Sequence, residues 1–156
     1  MDTATRTELI RRYREGYATV EQALAGASNV ALDRADSEGW TARQVAHHLA
    51  DSEMTSALRL RKLIAEQAPV IYGYDEEAFA RSLHYDVRPI EASLLAFRAA
   101  RESTATLLEV LSEDDWSRSG WHTESGLYTV ETWLEIYAAH AHDHAEQIRR
   151  ALRVSG

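Results

Sequence analysis

Four stretches of this chain repeat their apolar residues every three to four positions, and only two prolines and seven glycines interrupt its 156 residues. A period of 3.6 gathers such residues onto one stripe of a helix, and that stripe has to be covered by another helix. Nothing alternates with period two for long enough to suggest a sheet. The first segment, about residues 3–26, carries Leu9, Ile10, Tyr13, Tyr17, Val20 and Leu24 on one stripe and ends at Gly26. Residues 27–40 read as a polar connection. The second opens on Thr41 and Gln44, a capping box. Its stripe runs through Val45, His48, Leu49, Ser52, Ser56, Leu60, Leu63 and Ile64 and stops before Pro69.

Residues 67–88 form an irregular crossover that contains a short helix from Asp75 to about Leu83. The third segment starts at Pro89, a favoured first-turn residue, and carries Ile90, Leu94, Phe97, Thr104, Leu107, Leu108 and Leu111. A long loop, Ser112 to Tyr128, leads to a fourth segment capped by Thr129, with Val130, Trp133, Leu134, Tyr137, Ala141, Ile148 and Leu152 inward. These segments predict an all-α chain: an antiparallel four-helix bundle with a long crossover between its second and third helices, as one domain over residues 1–156.

Composition narrows the function. There is no cysteine, so a metal would have to be held by histidine and carboxylate. A formal charge of −8 argues against nucleic acid or an anionic membrane as the main partner. No apolar run approaches the ~20 residues of a membrane helix, and Met1 to Arg6 lacks a signal-peptide pattern, so a cytoplasmic protein is expected.

The chemistry lies in the histidines. His140 and His144 are one helical turn apart, which points both imidazoles the same way at roughly 6 Å. His48 falls on the inward stripe of the second segment. Three converging imidazoles would repel one another if protonated, and each leaves ring nitrogens to satisfy, so a shared divalent ion is favoured over three separately satisfied core histidines. Such a site leaves one coordination position open. His142 lies about 200° around the helix from both partners, and His47 about 100° from His48, so both read as surface or supporting residues. His84 and His122 read as solvent-facing. Asp51, three residues after His48, is a candidate acid/base. Glu53, two further on, points away. Arg59, three turns along nearly the same face as His48, can bind a substrate carboxylate above the metal.

The residues that carry a resemblance are Trp40 to Ser52 around the His47-His48 pair, Pro69 to Glu77 in the crossover, Ser112 to Trp116, and His140 to Ile148. Over about residues 35–150 the chain resembles the DinB-like superfamily, and within it the YfiT-type bacillithiol S-transferases, earlier described as metal-dependent hydrolases. The resemblance implies a four-helix bundle, a homodimer, and one zinc or nickel ion on three histidines plus water. His48 matches the first ligand position, and His140 and His144 match the other two. Glu53 stands where some relatives have histidine, and Gly73 where a proline is common.

Three functions follow as expectations. The first is an S-transferase that activates a small-molecule thiol such as bacillithiol for attack on an electrophile. The second is a hydrolase in which bound water attacks, and the third a non-catalytic metal or small-ligand binding protein of a stress response. The irregular segments supply Tyr72, Tyr74, His84, Tyr85, Trp116, Trp121 and His122 as an amphipathic mouth. Within it, Tyr74 and Arg59 are the residues expected to bind the thiol or electrophile.

Overall fold

The computed structural model describes residues 1–153 apart from 36 and 38. Its long helices are α1 (Thr3–Leu24), α3 (Ala42–Ala65), α5 (Glu91–Leu108) and α7 (Val130–Arg153). Short helices α2 (Asn29–Leu32), α4 (Glu76–Ser82) and α6 (Glu113–Trp116) lie in the connections, with strands β1 (Val70–Ile71), β2 (Ser119–His122) and β3 (Gly126–Thr129). The helix starts follow local chemistry. Asp2 accepts the Thr5 amide at 2.7 Å, Thr41 and Gln44 close the capping box, and Thr129 accepts the Thr132 amide at 3.0 Å. Gly26, with φ +75°, takes the left-handed turn that ends the first helix. Asp75 caps the crossover helix where expected. Pro89 sits just before Ile90, the residue that caps α5, so it precedes the helix rather than opening its first turn. The connection 27–40 is not wholly polar, because α2 buries Leu32 against the bundle.

The four long helices form the expected bundle, and their contacts give its directions. Trp133 bonds the Ser56 carbonyl while His140 meets His48, so α3 and α7 run antiparallel. The Tyr17–Phe97 and Arg14–Glu109 contacts make α1 and α5 antiparallel. Arg6 with Glu131 and Gly16 with Ala141 make α1 and α7 parallel. His47 with Ser93 and Arg61 with Thr104 make α3 and α5 parallel as well. Parallel neighbours need a connection that returns along the bundle, and the long crossover between α3 and α5 supplies it.

A small sheet corrects the expectation of no strands. β1 pairs in parallel with β2, and β2 in antiparallel with β3. Strands of two and four residues are too short to show a period-two pattern.

The apolar interior divides in two. One cluster joins Val20, Leu24, Val45, Leu49, Phe97, Ala145 and Ile148; the other joins Tyr13, Leu60, Leu63, Leu108, Trp133 and Leu134. Between them on α3 lie buried Ser52, Glu53 and Ser56, opposite Arg101 and Thr104 of α5. Arg101 donates to Glu53 at 2.7 Å, and to the carbonyls of Tyr13 and Tyr137 at 2.6–3.1 Å. The Tyr13 hydroxyl donates to the other Glu53 oxygen. Glu53 thus points away from the histidines, as expected, but into the core rather than to solvent.

Gly16 marks a close approach of α1 to α7. A Cβ there would stand 2.7 Å from the Ala141 Cβ and 2.7 Å from Arg101 Nη2. Gly16→Ala is therefore expected to destabilise the fold by about 1–3 kcal/mol through overpacking, although alanine is the better helix former by ~1 kcal/mol. Guanidinium denaturation measures this, and an unchanged or raised midpoint would contradict so tight an approach.

Candidate metal centre

The α3 stripe carries His48 into the bundle, where it is 2% exposed. The i,i+4 spacing on α7 brings His140 and His144 to meet it. Their ring centroids lie 4.5–5.4 Å apart. One ring nitrogen from each falls within 4.8 Å of the others, and His48 Nε2 and His140 Nε2 are 3.4 Å apart. Two nitrogens each about 2.1 Å from a tetrahedral ion lie about 3.4 Å from each other. The spacing is thus that of two ligands of one ion.

Hydrogen bonding sets the ring orientations. His144 Nδ1 lies 2.7 Å from Gln147 Oε1, which makes Nδ1 the donor and leaves Nε2 as a lone pair for the centre. His140 Nδ1 is buried without a partner, so nothing competes for its proton, and Nε2 is free to coordinate. Burial pushes the His48 imidazole down to about 3, with His144 adding to the shift. Burial, then the neighbouring histidines, also holds His140 well below the usual histidine range. Neutral imidazoles are the form that binds metal. The residues present therefore fit one divalent ion.

An open cleft of about 280 Å³ leads to the centre and is lined by Trp40, His48, Glu76, Glu77, His144 and Gln147. The Trp40 ring stands edge-on to His48 at 5.8 Å, and its indole N–H donates to Glu77 at 3.0 Å. The sequence reading missed these neighbours. Trp40 and Gln147 flank the ligands within the segments Trp40 to Ser52 and His140 to Ile148, which was the available signal. The two glutamates reach the cleft only because the crossover folds back over α3.

The other site candidates separate. Asp51 accepts from the Tyr85 hydroxyl at 2.5 Å, and the Tyr85 ring lies 5.4 Å from that of His47. Asp51 is thus engaged by the turn that follows α4, and the carboxylates lining the cleft are those of Glu76 and Glu77. Arg59 and Tyr74 do come together, with the guanidinium 5.7 Å from the ring centroid. Arg59 also donates to Tyr137 Oη at 3.4 Å, and Tyr137 meets the His140 ring at 5.5 Å.

Four readings need correction. His47 is neither at the surface nor against the triad: it is fully buried, with Nδ1 at 2.8 Å from Ser93 Oγ and Nε2 at 3.1 Å from the Arg88 carbonyl. His122 is buried rather than solvent-facing, its ring tilted against that of Tyr128 at 5.4 Å, because β2 turns it inward. Trp116 is not part of the mouth. It packs in the second core cluster under the Arg6 guanidinium, 4.5 Å from its centroid. Tyr85 is likewise buried, whereas Tyr72, Trp121 and His84 are exposed. His142 faces α1, near the Arg12 carbonyl at 2.9 Å, which agrees with its assignment away from the centre.

Two outcomes test this geometry. Gln147→Leu removes the acceptor that orients His144 and should weaken zinc binding about 10–100-fold; a chelator-competition titration giving wild-type affinity would contradict that role. The unfolded chain titrates His48 near ~6.5, the folded chain near 3. Between those values the unfolded state holds more protons, so stability of metal-free protein falls as pH drops through that window and His48 has no effect above it. His48→Gln should lose less stability between pH 7 and 4.5 than wild type, measured by urea denaturation in chelator. An equal loss would count against the depressed value.

Fold and centre together define a four-helix-bundle protein with a three-histidine centre able to hold one metal ion and open on one side. The chain belongs to the DinB superfamily, whose profile matches residues 12–148. It is 43% identical over 112 residues to a protein of Oceanobacillus iheyensis provisionally named a metal-dependent hydrolase, covering 72% of this chain and 64% of that one. It is 31% identical over 141 residues to YfiT of Bacillus subtilis, which carries the same provisional name, covering 89% and 79%. The solved structure of YfiT superposes with a TM-score of 0.92 at 29% identity, covering 98% of this chain and 89% of that one. That structure is described as having an unusual four-helix-bundle topology. Among the described residues no helix is long and apolar enough to cross a membrane.

Proposed function

We propose that this protein is a metal-dependent enzyme that transfers a low-molecular-weight thiol to an electrophile, with His48, His140 and His144 holding one zinc or nickel ion. The observation that carries this reading is a triad of imidazoles whose ring nitrogens lie within 4.8 Å of one another, with His48 and His144 lining an open cleft. A divalent ion held there supplies Lewis-acid activation, lowering the pKa of a thiol or water that takes the open position. Three neutral ligands leave the ion its full charge for that purpose. Gln147 fixes the tautomer of His144, and Trp40 walls the cleft beside His48. Glu76 and Glu77 line the same cleft and can take up the proton that the nucleophile loses.

The names of the relatives favour a second reading, hydrolysis at the same centre. A panel of small thiols with a chromogenic electrophile separates the two, because transfer requires added thiol and hydrolysis does not. Thiol-independent turnover would replace the first reading by the second. No turnover in either arm, with stoichiometric metal, would leave a binding protein.

A further inference from the structure

Four buried side-chain polar atoms have no hydrogen-bond partner among the described residues: Arg6 Nε, Arg59 Nε, Tyr74 Oη and His140 Nδ1. Three of the four lie along one run of contacts beside the metal centre. The Arg59 guanidinium stands 5.7 Å from the Tyr74 ring centroid, its Nη1 reaches Tyr137 Oη at 3.4 Å, and Tyr137 meets His140 edge-on at 5.5 Å. Leaving a buried donor unmade costs on the order of 1–3 kcal/mol, so the arrangement points to a group that satisfies it. Two of them sit side by side and can donate, the Arg59 guanidinium N–H and the Tyr74 phenol O–H, the latter with Ser52 as its neighbour. The missing group is an acceptor.

Charge says more. The partners of Arg59 are neutral, namely the Tyr72 carbonyl, the Tyr137 hydroxyl and the Tyr74 ring. A half-buried guanidinium without a carboxylate partner is compensated best by an anion. A water accepts two hydrogen bonds at most and leaves the charge as it was. A phosphate dianion is disfavoured by a single arginine next to the acidic cleft of Glu76 and Glu77. A carboxylate, with one charge and two planar oxygens, fits the guanidinium fork.

The loop is built to hold this arrangement. The Gly73 amide donates to Thr123 Oγ1 at 3.0 Å, and a Cβ on Gly73 would lie 2.2 Å from the Glu124 carboxyl carbon. The crossover is therefore pinned on the β2–β3 hairpin just before Tyr74. Tyr72, whose carbonyl accepts from Arg59 Nη2, is 69% exposed, and Arg59 itself is half-buried.

We propose that Arg59 and Tyr74 form a carboxylate-binding subsite beside the three-histidine centre, and that the thiol or electrophile handled there carries a carboxylate. This deepens the reading given above and rests on it for the word thiol, but the subsite stands on its own atoms. Calorimetric titration of zinc-loaded protein with 3-mercaptopropionate, 3-mercaptopropionamide and succinate tests it. The acid should bind at least tenfold tighter than the amide. Arg59→Gln should bring that ratio to about one with metal content unchanged, Arg59→Lys should leave it partly reduced, and Tyr74→Phe should reduce it about threefold. Should Arg59→Gln fail to fold, the lysine and phenylalanine variants carry the test. Equal binding of acid and amide, absence of binding by both acids, or an undiminished preference in the Arg59 and Tyr74 variants would overturn the subsite. If succinate binds as tightly as the mercapto acid and its binding depends on Arg59, the subsite is upheld and the thiol reading fails. The succinate arm needs no metal.

Discussion

Glu53→Ala is expected to destabilise the protein by about 3–5 kcal/mol, because it leaves an arginine uncompensated in the middle of the bundle. Arg101 and Glu53 have side chains only 1% and 0% exposed, and their oxygen–nitrogen distance is 2.7 Å. Arg101 Nε and Nη2 donate to the Tyr13 and Tyr137 carbonyls, and the other Glu53 oxygen accepts from the Tyr13 hydroxyl. The loss is a large share of the ~5–15 kcal/mol that holds a typical domain together. Exchanging both partners for methionine should cost far less, since it removes the stranded charge along with the attraction. Urea denaturation of the two variants measures the difference. A single variant no worse than the double would mean that water reaches Arg101 and that the pair is not sealed in the core.

Removing a bound ion is expected to lower the melting temperature by about 10 °C. The centre bridges α3 and α7, whose chain positions are 92 residues apart at the His48–His140 contact, and it does not exist in the unfolded chain. An ion present at a thousand times its dissociation constant adds about 4 kcal/mol to the folded state, and each kcal/mol moves the midpoint of a chain this long by ~2–4 °C. Calorimetry of metal-loaded protein before and after dialysis against chelator gives the shift. A midpoint that stays put, in a sample shown to have carried metal, would separate binding from folding.

Much of this was legible in the residues. The long helices announce themselves by period, and Thr41 with Gln44, Asp75 and Thr129 mark where elements begin. His140 and His144 declare a shared face because an α-helix repeats at four residues. Helix directions were not legible, since a crossover of that length can return along the bundle or stop short. The sheet was hidden by strands too short to alternate. His47 misled because angle alone places it off the His48 face without telling that α5 covers that side with Ser93. Arg101 and Glu53 look like surface charges in sequence, and only the packing of three helices shows that they neutralise each other. Trp116 and His122 come from a loop whose inward residues are decided by β2 and α6, neither of which has a periodic signal.

The most direct measurement is elemental analysis of purified protein after zinc or nickel loading, run on wild type and on His48→Ala, His140→Ala, His144→Ala and His142→Ala. One ion per chain is expected in wild type and in His142→Ala, and little or none in the other three, with circular dichroism showing all five helical. Retention of a full equivalent by any of the His48, His140 or His144 variants, or equal loss on replacing His142, would contradict the three-histidine centre.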